Sequence, residues 1–157
     1  LIAMALVCNP SLVILDEPTT ALDATVQIQL LELIKRLKQE LWMSIILITH
    51  DLAVAAEICD RVYVMYAGEI VEGADVRHLY RDPRHPYSRA LLECALRTDE
   101  PRVMFPSIEG FVPDLADPPS GCRFHPRCPL AQEICKLERP PRVATSGGHE
   151  FFCHKSA

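Results

Sequence analysis

The chain has 157 residues, a formal net charge of -5, and 49% hydrophobic against 24% charged residues. That length supports one core, or one core with a small appendage. The acidic balance, with no run of Lys or Arg, gives no reason to expect a nucleic-acid partner. No apolar stretch reaches the ~18 residues needed to cross a bilayer.

The opening LIAMALVCNP reads as the inside of an apolar helix, stopped at Asn9-Pro10. A chain that starts this way is expected to be the C-terminal part of a longer protein. Leu12 to Leu15 is a short apolar run that ends in Asp16-Glu17-Pro18, as a buried parallel strand does when it delivers polar groups at its edge. A turn over 19–23 leads into a long helix from Ala24, with Val26, Leu30, Leu33, Ile34, Leu37 and Leu41 expected on its buried face. Ser44 to Ile48 reads as a second buried strand, and a helix over 52–59 follows with Asp51 as its cap. Arg61–Tyr66 and Glu69–Glu72 read as strands around an Ala67-Gly68 turn. This alternation predicts an α/β sheet covered on both faces.

After Gly73 the character changes. A short helix over 75–81 is broken at Asp82-Pro83, and a second begins at His85-Pro86, with Tyr87, Leu91 and Cys94 on one face. From Pro101 periodicity is lost, and nine prolines fall between Pro101 and Pro141. Such a segment buries little apolar surface unaided and is expected to need a metal or a partner surface.

Cysteine usage divides in two. Cys8, Cys59 and Cys94 lie alone in apolar helical surroundings and read as buried small hydrophobes. Cys122, Cys128, Cys135 and Cys153 are clustered, with spacing C-x5-C-x6-C-x17-C. An odd total of seven argues against a secreted disulfide framework. Zinc knuckles favour closer pairs. Longer spacings suit thiolates arriving from separate loops on a larger core, and the Cys128-Pro129 step occurs in cluster-binding segments. The spacing favours a [4Fe–4S] cluster over zinc only modestly, so zinc stays open. Arg123, Arg127 and Lys136 are candidates to offset its negative charge. His125, His149 and His154 read as supporting groups, because four cysteines already fill a tetrahedral set.

LVILDEPTTALD, with ILITHD downstream and LIAMAL upstream, resembles the Walker B, D-loop and switch region of ABC-type ATPases. The resemblance implies a P-loop NTPase fragment with a parallel sheet core, followed by a small Pro/Cys-rich irregular extension. It implies ATP and Mg²⁺ as ligands. Asp16, at a strand end, is suited to hold Mg²⁺ through a water. Glu17 is suited to orient and polarise the attacking water. His50, at a neighbouring strand end, is suited to sense the γ-phosphate. Asp23 looks like the residue that communicates across an ATP-sandwiched dimer. No GxxxxGK[ST] string is present, since all six glycines lie at or after Gly68. The signature motif is missing as well, so these 157 residues alone are expected not to hydrolyse ATP.

TTALDATVQIQLLELIKRL, VMYAGEIVE, YRDPRHPYSRALL and the tail GFVPDL…PPSGCRFHPRCPLAQEIC…HEFFCHKS resemble the oligopeptide and dipeptide importer branch of that family. In some of its members the four tail cysteines bind a [4Fe–4S] cluster. The resemblance implies a peripheral subunit on the cytoplasmic face of the inner membrane. Two membrane-spanning permeases and a second nucleotide-binding subunit would be its direct partners, and a peptide-delivering binding protein an indirect one. It divides the chain into a nucleotide-binding part (1–74), a helical linker (75–100) and a cysteine-rich extension (101–157). Leu41-Trp42-Met43 departs from the branch, where a Gly-containing turn is commoner. The rival readings are an isolated iron–sulfur or zinc-binding dimerisation module, an importer of nickel or another solute, and a soluble ABC-type ATPase outside transport.

Overall fold

The computed structural model describes residues 2–96, 107–145 and 147–155. The change of character expected at Pro101 lies outside the described residues. The backbone packs as two units that divide between Cys59 and Asp60.

The first unit is a small parallel α/β arrangement. Strand β1 (Leu12–Asp16) pairs in parallel with β2 (Ser44–Ile48), in a register that sets Leu12 opposite Ser44 and Asp16 opposite Ile48. Helix α1 (Ile2–Leu6) precedes β1, α2 (Ala24–Glu40) joins the two strands, and α3 (Leu52–Ile58) follows them. Both later helices start on an aspartate. Asp23 accepts the Val26 N–H, and Asp51 accepts those of Ala53 and Val54. Each cap satisfies amide groups that the first helical turn leaves without partners. Val13, Leu15, Ile34 and Met43 form the core, with Leu30 and Leu37 packed against it.

Two expectations change here. The helix face is rotated: Leu31 and Ile34 are buried, whereas Val26, Leu33 and Leu41 are exposed. The step from 27 through 30, 31, 34 and 37 is the stripe that a 3.6-residue period keeps on one side. The strands are also buried on one face only. Val13 and Leu15 point inward, while Ile14 and Ile46 are 61% and 47% exposed.

In the second unit the sheet is antiparallel, and it does not continue the first. Strands β3 (Arg61–Tyr66) and β4 (Glu69–Asp75) form a hairpin with a register shift at Val64/Met65. Its turn uses Ala67 at φ 47° and Gly68 at φ 81°, the left-handed pair that tight two-residue hairpins demand. Two strands from the tail, β5 (Arg142–Ala144) and β6 (Glu150–Phe152), complete the order β3-β4-β6-β5. The single covered α/β sheet expected from the sequence is thus replaced by a two-stranded parallel and a four-stranded antiparallel sheet. Helices α4 (Val76–Arg81) and α5 (Pro86–Leu96) follow the hairpin, and a 3-10 turn (His125–Arg127) and α6 (Glu133–Leu137) precede β5.

The tail is better anchored than its proline content suggests. Phe124 is 1% exposed and sits in the core with Val64, Tyr66, Val71, Ala74 and Leu79. Its ring meets Tyr66 edge-on at 5.1 Å and Tyr87 at 5.4 Å. Cys8 is exposed and Cys59 and Cys94 are half-buried, so none of the three is the fully buried hydrophobe expected. Among the described residues no helix is long and apolar enough to cross a membrane.

Glu72 of β4 is fully buried and accepts three hydrogen bonds. The donors are the N–H groups of Arg84 (2.7 Å) and His85 (2.9 Å), just ahead of α5, and Nε2 of His149 (2.7 Å), just ahead of β6. One carboxylate therefore fixes where the linker helix starts and where the last strand arrives.

Two stability outcomes follow. Glu72→Ala leaves three donors, two of them in buried hydrogen bonds, without their acceptor and is expected to cost about 3–5 kcal/mol, read as a lower urea midpoint. An unchanged midpoint would remove Glu72 from this role. Trp42, which follows the C-terminus of α2, sits at φ 52° with its indole 93% exposed. Trp42→Gly is expected to raise the midpoint, since a left-handed backbone costs a non-glycine residue about 1 kcal/mol. A fall would show that the indole makes a compensating contact.

Candidate functional site

Residues at the C-terminal edge of the parallel pair gather the first group. Asp16 closes β1, and the Glu17 N–H still donates to the Ile48 carbonyl at 2.9 Å, extending the ladder by one residue. Glu17 then turns to φ 45°, which swings its side chain off the strand direction. One carboxylate oxygen accepts the Thr20 hydroxyl at 2.7 Å, and the other meets His50 Nδ1 at 2.8 Å. The Thr20 and His50 contacts hold the Glu17 carboxyl below the usual range, and Glu17 in turn raises the His50 imidazole. Both groups are open to water, so the pair is a positioned contact more than a source of stability.

Sequence and structure bring Asp16, Glu17 and His50 to one strand edge. Asp23 is elsewhere engaged, since its carboxylate caps α2. Thr20 was not singled out from the sequence. Its place three residues after Glu17 in a turn was the available signal, because that spacing returns a hydroxyl to the carboxylate.

The four tail cysteines line one pocket in the second unit, together with His85, His125 and Lys155. Each sulfur accepts a backbone N–H. Cys122 accepts from Phe124, Cys128 from Leu130, Cys153 from Lys155, and Cys135 from Gln132 at 3.5 Å. Local chain geometry supplies these donors, and an array of N–H groups aimed at sulfur favours thiolate. Burial opposes it, pushing the thiols of Cys122, Cys128 and Cys153 up, and the other cysteines add to that push. Lys155 lowers Cys128 and Cys153. A bound cation would relieve the mutual repulsion, which is the usual coupling between metal binding and thiol deprotonation.

In number and kind this donor set fits a metal–sulfur group. As the side chains stand, no group of three or more His, Cys, Asp or Glu among the described residues could hold a metal ion. Gly121 holds the pocket's first segment close. It sits at φ 65°, and a Cβ there would lie 2.4 Å from the Cys135 carbonyl oxygen.

The charged neighbours proposed to offset a cluster have other partners. Arg123 donates to the Ala67 carbonyl and pairs with Glu69, Arg127 donates to the carbonyls of Ile108 and Glu109, and Lys136 pairs with Glu133. Lys155 is the cation that lowers Cys128 and Cys153, and its nearness to Cys153 in sequence was the hint. His149 lies on Glu72. His125 Nδ1 faces the Cys122 carbonyl at 3.0 Å, and His154 Nε2 faces the Glu138 carbonyl at 3.0 Å. His85 was read only as the start of a helix. It is 1% exposed, and burial holds its imidazole down at about 4, with the Glu72 charge opposing.

Comparison with known proteins gives the context. A family model described as the oligopeptide/dipeptide transporter C-terminal region matches residues 71–135. The chain is 46% identical over 154 residues to the dipeptide transport ATP-binding protein DppD of Haemophilus influenzae, covering 98% of this chain and 46% of that protein. It is 44% identical to DppD of Escherichia coli K12 and to DppD of Caldanaerobacter subterraneus, each match covering 98% of this chain and 47% of the relative. The chain thus spans about half the length of the curated relatives it matches. The similarity is thus to the C-terminal region of oligopeptide/dipeptide transporters over residues 71–135 and to about half of each DppD relative.

Proposed function

We propose that the whole protein is an ATP-binding and ATP-hydrolysing subunit that energises import of di- or oligopeptides through an ABC transporter. The observation that carries this reading is the strand edge where Glu17, fixed by Thr20 and His50, stands directly after Asp16. Residues 1–74 are assigned to a P-loop-type nucleotide-binding domain, 75–100 to a helical linker and 101–157 to the extension. The proposed partners are two permeases, a second nucleotide-binding subunit and, indirectly, a peptide-binding protein, with no nucleic acid. The proposed location is the cytoplasmic face of the inner membrane.

In this reading Asp16 would hold Mg²⁺ through a water, and the ion would supply charge neutralisation to the nucleotide phosphates. Glu17 accepts a hydrogen bond from the attacking water and orients it. Its lowered pKa keeps it ionised at neutral pH, so it orients and polarises without carrying the proton in the resting site. His50 contacts Glu17 before nucleotide arrives, and transfer of that contact to the γ-phosphate or to the water would report the third phosphate. Asp23 keeps a proposed role at the dimer boundary, where its cap of α2 fixes the loop that precedes that helix.

The extension carries a second proposal. Cys122, Cys128, Cys135 and Cys153 would hold one [4Fe–4S] cluster, with zinc as the alternative. The shared pocket and the four N–H donors to sulfur support this assignment. The group would act as a pin between the loops of the tail, with no redox turnover assigned to it.

Two experiments test these readings. In the full-length protein Glu17→Gln should retain Mg-ATP binding and lose hydrolysis by ~10²-fold or more; undiminished turnover would remove Glu17 from its role. Full-length protein purified without oxygen should be brown, with about four iron and four sulfide per chain. Cys128→Ser should lose the colour and open the tail to protease, while Cys94→Ser should change neither. One zinc and no iron would replace the cluster by the alternative, and no metal with a protease-resistant tail would defeat both.

A further inference from the structure

Three apolar side chains stand out in water within five residues of the tail. Phe111 is 95% exposed, Val112 69% and Leu115 63%. The segment that carries them is fixed at its base. Arg127 donates to the carbonyls of Ile108 at 2.7 Å and Glu109 at 2.9 Å, and Ile108 packs against the core of the second unit. Gly110 turns the chain at φ 81°, a conformation that suits glycine. Pro113 limits the backbone further, and Asp114 accepts the Ala116 N–H at 2.8 Å in a turn. A preordered apolar knob costs little entropy to bury, and exposed apolar patches mark sites of association. Around this one, residues 107–121 hold the carboxylates Glu109, Asp114 and Asp117 and no Lys or Arg.

The same unit holds a groove of complementary character, where α4 gives way to α5. Its volume is about 380 Å³. Tyr80, Pro83 and Leu92 supply apolar walls, and Arg81 and Arg89 supply two guanidiniums. Of the two carboxylates that also line it, Asp82 pairs with Arg84 at 2.5 Å, which leaves Glu93 as the one counter-charge for both cations. Arg89 donates to the Pro83 carbonyl at 3.2 Å, a neutral acceptor that leaves its charge in place. The groove is therefore apolar and net positive, while the knob is apolar and negative. Phe111, at 95% exposure, does not fill the groove of its own chain.

We propose that a second copy of this chain seats its Phe111 and Leu115 in this groove, with Asp114 and Asp117 beside Arg81 and Arg89. Each copy carries both halves of the contact. Two copies can thus exchange knobs about a two-fold axis and bury the patch twice, which a stable dimer needs more than one small insertion provides. The aromatic anchor supplies most of the affinity, and the charges at the rim set register and exclude mismatched surfaces. The contact uses neither the nucleotide edge nor the cysteine pocket, so it stands apart from both readings above.

The test uses full-length protein free of nucleotide, so that ATP-driven pairing plays no part. Light scattering over a concentration series should show a monomer–dimer equilibrium. Phe111→Asp should weaken the dimer by ~30-fold or more, with an unchanged circular dichroism spectrum because Phe111 is exposed in its own chain. Arg81→Glu should weaken it by about tenfold, and adding Asp114→Lys with Asp117→Lys to the same chain should bring it back. For direct placement, Phe111 is replaced by the photoreactive analogue p-benzoylphenylalanine, and chains labelled with ¹⁴N and ¹⁵N are mixed. The crosslink should join residue 111 to residues 80–93 of a chain with the other label. A monomer at every concentration overturns the proposal, as does a dimer that persists in Phe111→Asp. So does a charge reversal without rescue, or a crosslink confined to one label or falling outside 80–93.

Discussion

The buried carboxylate of Glu72 is the constraint on which the second unit depends. A charge at this depth persists only when donors surround it. Those donors come from two places: the two amides ahead of α5 and the ring of His149. Meeting that demand brings together β4, the linker helix and the last strand. The consequences reach the cysteine pocket. His85 is held on one side, and β6, which pairs with Glu72 and Gly73, leads one residue later to Cys153. The negative charge of Glu72 also raises the Cys153 thiol, so the same group that builds the pocket opposes an empty set of thiolates within it.

The first unit uses the opposite device. Glu17 and His50 are open to water, and little stability comes from their contact. What is fixed is direction. A parallel register brings two strand ends level, the Glu17 N–H prolongs the ladder, and a left-handed turn aims the side chain outward. A reacting group needs orientation and access together, and a rigid strand edge supplies both.

Much of this was legible in the chain. The run LVILD, the caps Asp23 and Asp51 and the Ala67-Gly68 turn each follow from short-range rules, and the structure places them where those rules put them. The four clustered cysteines share a pocket, as their grouping implied. The errors have a common origin. Cys8, the rotated face of α2 and the tail's supposed lack of a core were judged from neighbours in sequence, whereas burial depends on what else packs nearby.

The sequence by itself determined the element types, the acidic strand edge and the donor set of the tail, because hydrophobic period, capping chemistry and residue identity act over a few positions. Tertiary structure alone decided that the hairpin joins the tail in an antiparallel sheet, that Glu72 is buried among three donors, and that His85 lines the pocket of the four cysteines. The Glu72 pairings span 12 to 77 residues. Their partners are chosen by unsatisfied hydrogen-bonding groups that only the folded chain brings face to face.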